Sequence, residues 1–305
     1  MSARLIVEVR GGRGNGDKTV IDPGQTLRFG RTEVADVVVP HDEMLSGVHF
    51  DLAWDGATCR LRDRRSHQGT TLDGEPVLTA VVPHGGWIRA GRTDFLVYVE
   101  GKSAAPPPED DSDLLEYMQI PGDPPDAEEP LSERALLSPE EAERLRRADA
   151  ALAQLRAIAE GRPLYAVLDA ARDPKILEIL RESVEKHQSL YEGVDGEAME
   201  EVAPYLAGPM RSDSMLLDRL VREGWGRRWG VFAETPLPFK FVRRHLRRFL
   251  MIDLTETEEK VYFRYYDPVV LVRFLGLWTP AQRAQMTDGP TRLLAEGPSL
   301  EVVSS

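Results

Sequence analysis

A single cysteine, Cys59, occurs among 305 residues. One thiol cannot close a disulfide within the chain or build a Cys-based zinc or iron–sulfur centre, and its scarcity fits a reducing compartment. No apolar run approaches the roughly 18–20 residues that a membrane span needs. The N-terminus, Met1-Ser2-Ala3-Arg4-Leu5, enters an alternating pattern without the apolar stretch of a signal peptide. The expectation is a cytoplasmic protein with no membrane partner. An excess of basic charge is also missing: 38 Lys and Arg face 51 Asp and Glu, a net charge of −13. Nucleic acid is thereby excluded as the main partner, because phosphate backbones want a basic face. Catalytic signatures are absent too. There is no Gly-x-Ser-x-Gly elbow and no His-Glu-x-x-His, and Gly12-Arg13-Gly14-Asn15-Gly16 lacks the Gly-Lys-Ser/Thr ending of a phosphate loop and reads as a hairpin loop. His41-Asp42 has no second His/Asp cluster beside it, and Cys59 alternates inward with Ala57 and Leu61 as a core residue. The expectation is a protein that is not an enzyme, with no catalytic residue, metal or cofactor.

What is present divides into three parts. Residues 1–100 carry 14 acidic and 12 basic groups, residues 101–135 carry 10 and 2, and residues 136–305 carry 27 and 24. The acidity is thus concentrated in the middle, among Pro106, Pro107, Pro108, Pro121, Pro124, Pro125 and Pro130. Like charges repel and proline stiffens the chain, so 101–135 reads as a disordered linker of roughly 30–35 Å root-mean-square span. Its apolar island Leu114-Leu115-Glu116-Tyr117-Met118 is either a docking motif or an incidental cluster.

Before the linker the hydrophobic period is two. Leu5, Val7 and Val9 alternate with Ile6, Glu8 and Arg10; Phe50, Leu52 and Trp54 lead through Asp55-Gly56 into Cys59 and Leu61; Asp73-Gly74 marks another tight turn. The runs joined by Asp55-Gly56 predict a type I′ hairpin, and many short strands with regular turn signals an antiparallel sandwich or barrel. After the linker the period lengthens. Ser138-Pro139-Glu140-Glu141 is a helix start, followed by Leu145, Ala148, Leu152, Leu155 and Ala159 at spacings of three and four, with Glu140–Arg144 and Glu143–Arg147 as expected pairs. Leu164 to Asp169 and Gly230 to Glu234 read as strands, Phe249–Leu254 and Val261–Tyr266 as a hairpin, and Asp267-Pro268 and Thr279-Pro280 as helix starts. Residues 136–305 are expected to form a mixed α/β body.

Three clusters in the first part share one order: Phe29-Gly30-Arg31, Ser46-Gly47-Val48-His49, and Ser66-His67-Gln68-Gly69-Thr70-Thr71-Leu72-Asp73-Gly74. With Gly86-Trp87-Ile88-Arg89-Ala90-Gly91 closing it, this stretch resembles the forkhead-associated (FHA) domain, a phosphothreonine-reading β-sandwich. The resemblance implies phosphate contacts from Arg31 and Ser46, with Gly47, His67, Gln68 and Asp73 at peptide-gripping positions. It also implies structural roles for Gly30, His49, Gly69 and Thr70. Guanidinium and hydroxyl donors on rigid loops are what a phosphate dianion requires. Gln68 and Asp73 stand where the family usually has Asn, and His67 stands where it has Thr. The phosphate-touching pair is therefore kept while the peptide-gripping residues have drifted.

In the last part, Pro163-Leu164-Tyr165-Ala166-Val167-Leu168-Asp169, Trp229-Gly230, Arg264-Tyr265-Tyr266-Asp267-Pro268 and Asp288-Gly289-Pro290 follow one another. This series resembles the DUF4123 family, adaptor chaperones of the bacterial type VI secretion system that bind an effector and help load it onto the VgrG spike. Tyr165, Asp169, Arg264, Tyr266, Asp267 and Pro268 are the motif residues. Asp267 is placed to cap the helix begun by Pro268, and Arg264 to pair with a carboxylate at that junction. Arg243, Arg244, Arg247 and Arg248 form either a basic partner surface or a solvated helix face. Trp225, Trp229 and Trp278 read as core or as interface anchors. Together the resemblances imply a cytoplasmic adaptor whose partners are a secreted effector, the VgrG spike and a phosphothreonine-containing protein. The alternative is a phosphothreonine-reading scaffold of a Ser/Thr kinase pathway without secretion cargo.

Overall fold

The computed structural model describes residues 3–10, 14–103, 138–191, 199–253, 260–287, 292–298 and 302–304. Among the described residues the first body holds eleven strands: β1 Leu5–Arg10, β2 Lys18–Ile21, β3 Thr26–Gly30, β4 Val37–Val38, β5 Phe50–Trp54, β6 Cys59–Asp63, β7 Thr70–Leu72, β8 Glu75–Val77, β9 Thr79–Val82, β10 Gly86–Ala90 and β11 Thr93–Val99. They form two sheets, ordered β2-β1-β11-β10-β7-β8 and β4-β3-β5-β6-β9. The pairing is antiparallel except for the short parallel ladder of β3 with β4. Alternation drives the packing: Phe50, Leu52 and Trp54 point inward from β5, and Cys59 and Leu61 from β6. Phe29 and Phe50 stack at 4.8 Å, with Phe95 edge-on to both.

Type I′ geometry occurs at Asp73-Gly74, where φ is +50° and +88° and Leu72 pairs directly with Glu75. At Asp55-Gly56 the expected type I′ turn is replaced by a longer loop. Trp54 pairs with Cys59, and only Gly56 has positive φ. The physical reason is that the Asp55 carboxylate accepts from the Ala57 and Thr58 N–H groups and organises the loop itself.

The second body is a three-layer α/β unit. Its sheet runs β13-β14-β12-β15-β18-β19, from β12 Leu164–Asp169, β13 His187–Ser189, β14 Pro204–Met210, β15 Gly230–Glu234, β18 Arg292–Glu296 and β19 Val302–Ser304. Its helices are α1 Pro139–Gly161, α2 Lys175–Arg181, α3 Met215–Gly224, α4 Phe239–Arg247, α5 Pro268–Leu277 and α6 Pro280–Thr287. The β16 Met251–Asp253 and β17 Lys260–Tyr262 ribbon completes it. Central β12 is buried on both faces: Leu164, Ala166 and Leu168 join one core with α1, α2 and α3, while Tyr165 and Val167 join another with α4 and α5. That is why its sequence is a continuous apolar run rather than an alternating one. In α1, Ser138 caps the start as expected, but Arg144 pairs with Glu141 rather than Glu140; Glu143–Arg147 forms.

The two bodies pack against each other. The outward side chains of β1 are not solvated: Ile6 is 0% and Glu8 1% exposed. Lys18 Nζ donates to the carbonyls of Leu180, Ser183 and Glu185 at 2.7, 2.5 and 3.2 Å, closing the C-terminal end of α2. Arg10 and Arg181 share Glu200. The linker expected from 101 begins later, because Gly101 N–H donates to the Glu182 carbonyl and Ser103 is held by the Glu182 carboxylate. The rest of that linker and its apolar island lie outside the described residues.

Candidate functional site

The loops at one end of the first body bring Arg31, Ser46, Gly47, His67, Gln68 and Gly69 together. Gly30 is the hinge. A Cβ there would lie 2.2 Å from the Gly47 carbonyl oxygen, so only glycine lets the β3 end lie against the 46–49 turn. Arg31 N–H then donates to the Ser46 carbonyl at 2.9 Å, and Thr32 to Gly47. His49, fully buried, links the loops. Ser46 N–H donates to His49 Nδ1 at 3.1 Å, which leaves the proton on Nε2 to be donated to the Gly69 carbonyl at 3.0 Å. Gly69 has φ +74° with open space around it, so backbone conformation alone calls for glycine.

Sequence reasoning missed Asp63, the second brace. Its carboxylate accepts from Ser66 N–H and Oγ–H and from Thr70 Oγ–H, at 2.9, 2.6 and 2.6 Å. Burial alone would raise this carboxyl, but those hydrogen bonds outweigh it and hold it below its ordinary value. The spacing Asp63-x-x-Ser66-x-x-x-Thr70 was the available signal.

The result is a rigid mouth with two donors aimed outward. Ser46 Oγ accepts from the His67 N–H at 2.9 Å, which leaves its own proton to donate. Arg31 is exposed, and its guanidinium has no hydrogen-bond or ion-pair partner among the described residues. His67 and Gln68 are exposed on the facing loop. Asp73 lies apart at the β7–β8 turn, and its carboxylate accepts from Trp87 N–H at 2.8 Å. Chemically, a guanidinium, a hydroxyl and adjacent backbone suit a phosphate dianion.

Of the motif residues of the second body, Asp169, Arg264, Tyr266, Asp267 and Pro268 meet where the end of β12 lies beside the start of β15, while Tyr165 lies at the other end of β12. Asp267 caps α5 by accepting from Val269 N–H at 3.0 Å, with Pro268 at the first helical position. It also accepts from Arg172 and Arg228, each at 2.6 Å. Asp169 accepts from Arg264, with Arg172 3.4 Å away. Two acids, 1% and 3% exposed, are thus braced by three arginines. Arg228 sits at φ +61°, in a turn held by the Glu296 carboxylate through the Gly226 and Arg228 N–H groups. Arg172 and Arg228 were not singled out from sequence; only the spatial meeting of β12, β15 and α5 reveals them. Tyr266 Oη and Tyr262 Oη share a hydrogen bond at 3.0 Å, and Tyr165 Oη donates to the Leu237 carbonyl.

The four-arginine stretch divides. Arg243 donates to the Ser189 and Tyr191 carbonyls and Arg247 to the Leu190 carbonyl, so these two hold α4 to the β13 strand and the turn after it rather than facing a partner. Arg244 and Arg248 are exposed, stacked over Phe241 and Phe249. Trp225 and Trp229 are core residues, and Trp278 packs beside Phe263 and Phe274.

Comparison with known proteins places both parts. The FHA domain profile matches residues 27–91, and that of the domain of unknown function DUF4123 matches residues 164–285. No curated protein matches the chain. Among solved structures, an FHA domain from work on phosphothreonine-dependent FHA interactions is 27% identical, with 31% of this chain and 95% of that one covered and a TM-score of 0.29. The FhaA FHA domain, solved in complex with the intracellular domain of Rv3910, is 28% identical, covering 30% and 98%, with a TM-score of 0.28. The FHA domain of the CT664 protein from Chlamydia trachomatis is 22% identical, covering 31% and 96%, with a TM-score of 0.30. The chain carries an FHA domain followed by a DUF4123 domain.

Proposed function

We propose that this chain is a bipartite adaptor: its FHA domain holds a phosphothreonine-containing protein, and its DUF4123 domain holds a type VI secretion effector for loading onto the VgrG spike. The observation that carries the first half is the exposed Arg31 guanidinium beside the outward Ser46 hydroxyl, on loops braced by His49 and Asp63. The second half is supported by the DUF4123 match, whose family resemblance implies effector loading. The packed domains make the adaptor one body rather than two tethered ones, so a partner gripped at the FHA loops is held at a set position relative to the second domain. Affinity capture from native cells with the whole chain, and with Arg31→Ala, tests it. The adaptor reading expects a toxin-like protein or a VgrG spike with both baits, and a further, phosphatase-sensitive partner with the wild type alone. Capture of phosphatase-sensitive partners only, all lost with Arg31→Ala, would replace it with a signalling scaffold.

A further inference from the structure

Outside the phosphate loops, the outer face of the second FHA sheet carries two arginines that make no hydrogen bond or ion pair among the described residues. Along β6 the outward positions are Arg60 and Arg62, and Arg64 follows at the strand's end. Cross-strand register sets Arg60 between Ala53 and Val81, and Arg62 between Asp51 and Thr79. These residues, with Thr26, line a shallow groove of about 590 Å³. The face contains its own acids: Asp55 lies within electrostatic reach of Arg60 without a hydrogen bond to it, Asp51 keeps one carboxylate oxygen, Oδ1, buried without a hydrogen-bond partner among the described residues, and the other contacts are committed to other arginines. Asp36 holds Arg28 through two side-chain hydrogen bonds, and Asp51 pairs with Arg64 at 3.4 Å. Arg60 and Arg62 have no hydrogen-bond or ion-pair partner among the described residues. Val81, 57% exposed at the groove wall, lies on β9, the edge strand of its sheet. The ladder leads from the groove toward the phosphate mouth: β6 runs directly into Asp63, which braces Ser66 and Thr70, and the loop between them presents His67 to Ser46.

We infer that this groove docks an acidic tract of the same phosphoprotein whose phosphothreonine enters the loops. The inference rests on the phosphothreonine reading for that pairing and adds the partner's chemistry. Arg62 and Arg60 stand four and six residues before Ser66 along extended β6 and its loop, so an extended peptide alongside, advancing about 3.3 Å per residue, would carry its acids roughly four to seven residues from the phosphothreonine. Two arginines without a hydrogen-bond or ion-pair partner among the described residues, beside the exposed Val81 and an edge strand, match an extended acidic segment.

The test measures fluorescence anisotropy with the full chain and three synthetic peptide pools. The first is degenerate around a phosphothreonine and has four Asp/Glu residues at that spacing, on either side. The second replaces those acids with Ser. The third keeps the acids and has unmodified Thr. The expected result is that the acidic phosphorylated pool binds about threefold to tenfold tighter than the Ser pool, an advantage removed by R60A/R62A and reduced at high salt. The double variant leaves the Ser pool unchanged, and Arg31→Ala removes phosphate dependence. Equal affinity of the two phosphorylated pools, or equal weakening of both by R60A/R62A, overturns the groove. If no pool shows phosphate dependence, the phosphothreonine reading fails by itself, and the unphosphorylated acidic pool still decides the groove: its binding must fall with R60A/R62A. If acidic pools bind only after the acids of residues 109–133 are replaced by their amides, the occupant is this chain's own acidic segment and the inferred partner tract is overturned.

Discussion

Arg31 and Ser46 are asked to do the same thing by different means, one supplying charge and the other a directed proton. Hydrogen bonds to charged groups are worth about 1.5–3 kcal/mol, so Arg31→Ala is expected to weaken a bound phosphopeptide at least tenfold, with Arg31→Lys recovering part of the loss. Ser46→Ala is expected to cost less, about 1 kcal/mol, although it also removes the acceptor for His67 N–H. Titration calorimetry with the phosphothreonine pools measures both. An unchanged affinity in Arg31→Ala removes that residue from the site. Cys59 offers a second residue-scale check. Burial pushes its thiol up to about 12, so the native chain is expected to resist thiol reagents at pH 8 and to react only on unfolding. Rapid native labelling would mean that the sandwich opens.

Among elements, the junction of β12 with α5 rests on one side chain in two roles. Asp267 is both the helix cap and the acceptor for two arginines. Removing a buried acid leaves Arg228 unpaired, takes from Arg172 one of its two carboxylates and uncaps the helix, so Asp267→Ala is expected to cost about 2–4 kcal/mol. The partial exposure of Arg172 and Arg228 keeps the figure below that of a fully buried pair. Asp267→Asn, which keeps an acceptor for the cap, is expected to lose about half as much. Urea unfolding distinguishes the two, and equal losses would show that the cap carries nothing. Much at this scale was legible: the turn at Asp73-Gly74, the start of α5 at Pro268, and the ribbon closed by Met251 and Tyr262. Asp55-Gly56 was legible as a hairpin but not as a turn type, since a carboxylate that bonds its own loop competes with the two-residue turn.

In the whole molecule the domain interface is polar and buried, which gives it a pH response. His187 faces Glu8 from β1, Lys18 from β2 and Tyr205 from β14, with Arg10 and Arg181 near. Burial, then the cations Lys18, Arg10 and Arg181, push its imidazole well below the ordinary value. A base whose folded value is depressed binds its proton more readily once unfolded. The native state is therefore expected to lose stability as pH falls below the ordinary histidine value of about 6.5. The urea midpoint should drop between pH 7 and pH 5, before the carboxylates protonate, and His187→Gln should flatten that drop. A midpoint independent of pH in this window, or one unaffected by the substitution, would take His187 out of the interface energetics.

The two fold classes, the order of the domains and the glycine hinges of the phosphate mouth were readable along the chain. These follow from local periodicity, turn chemistry and spacing, which act over a few residues. The four-arginine stretch shows where that reach ends. Spacing placed Arg243, Arg244, Arg247 and Arg248 around one helix, but which two hold the backbone at 189–191 depended on what packs beside α4. Asp63, Arg172 and Arg228 are the same case, since their partners lie on other strands and loops. That Glu8, on the alternate side of the first strand, and Lys18 face the second domain came only with the fold, because alternation says which side of a sheet a residue takes and not what covers that side.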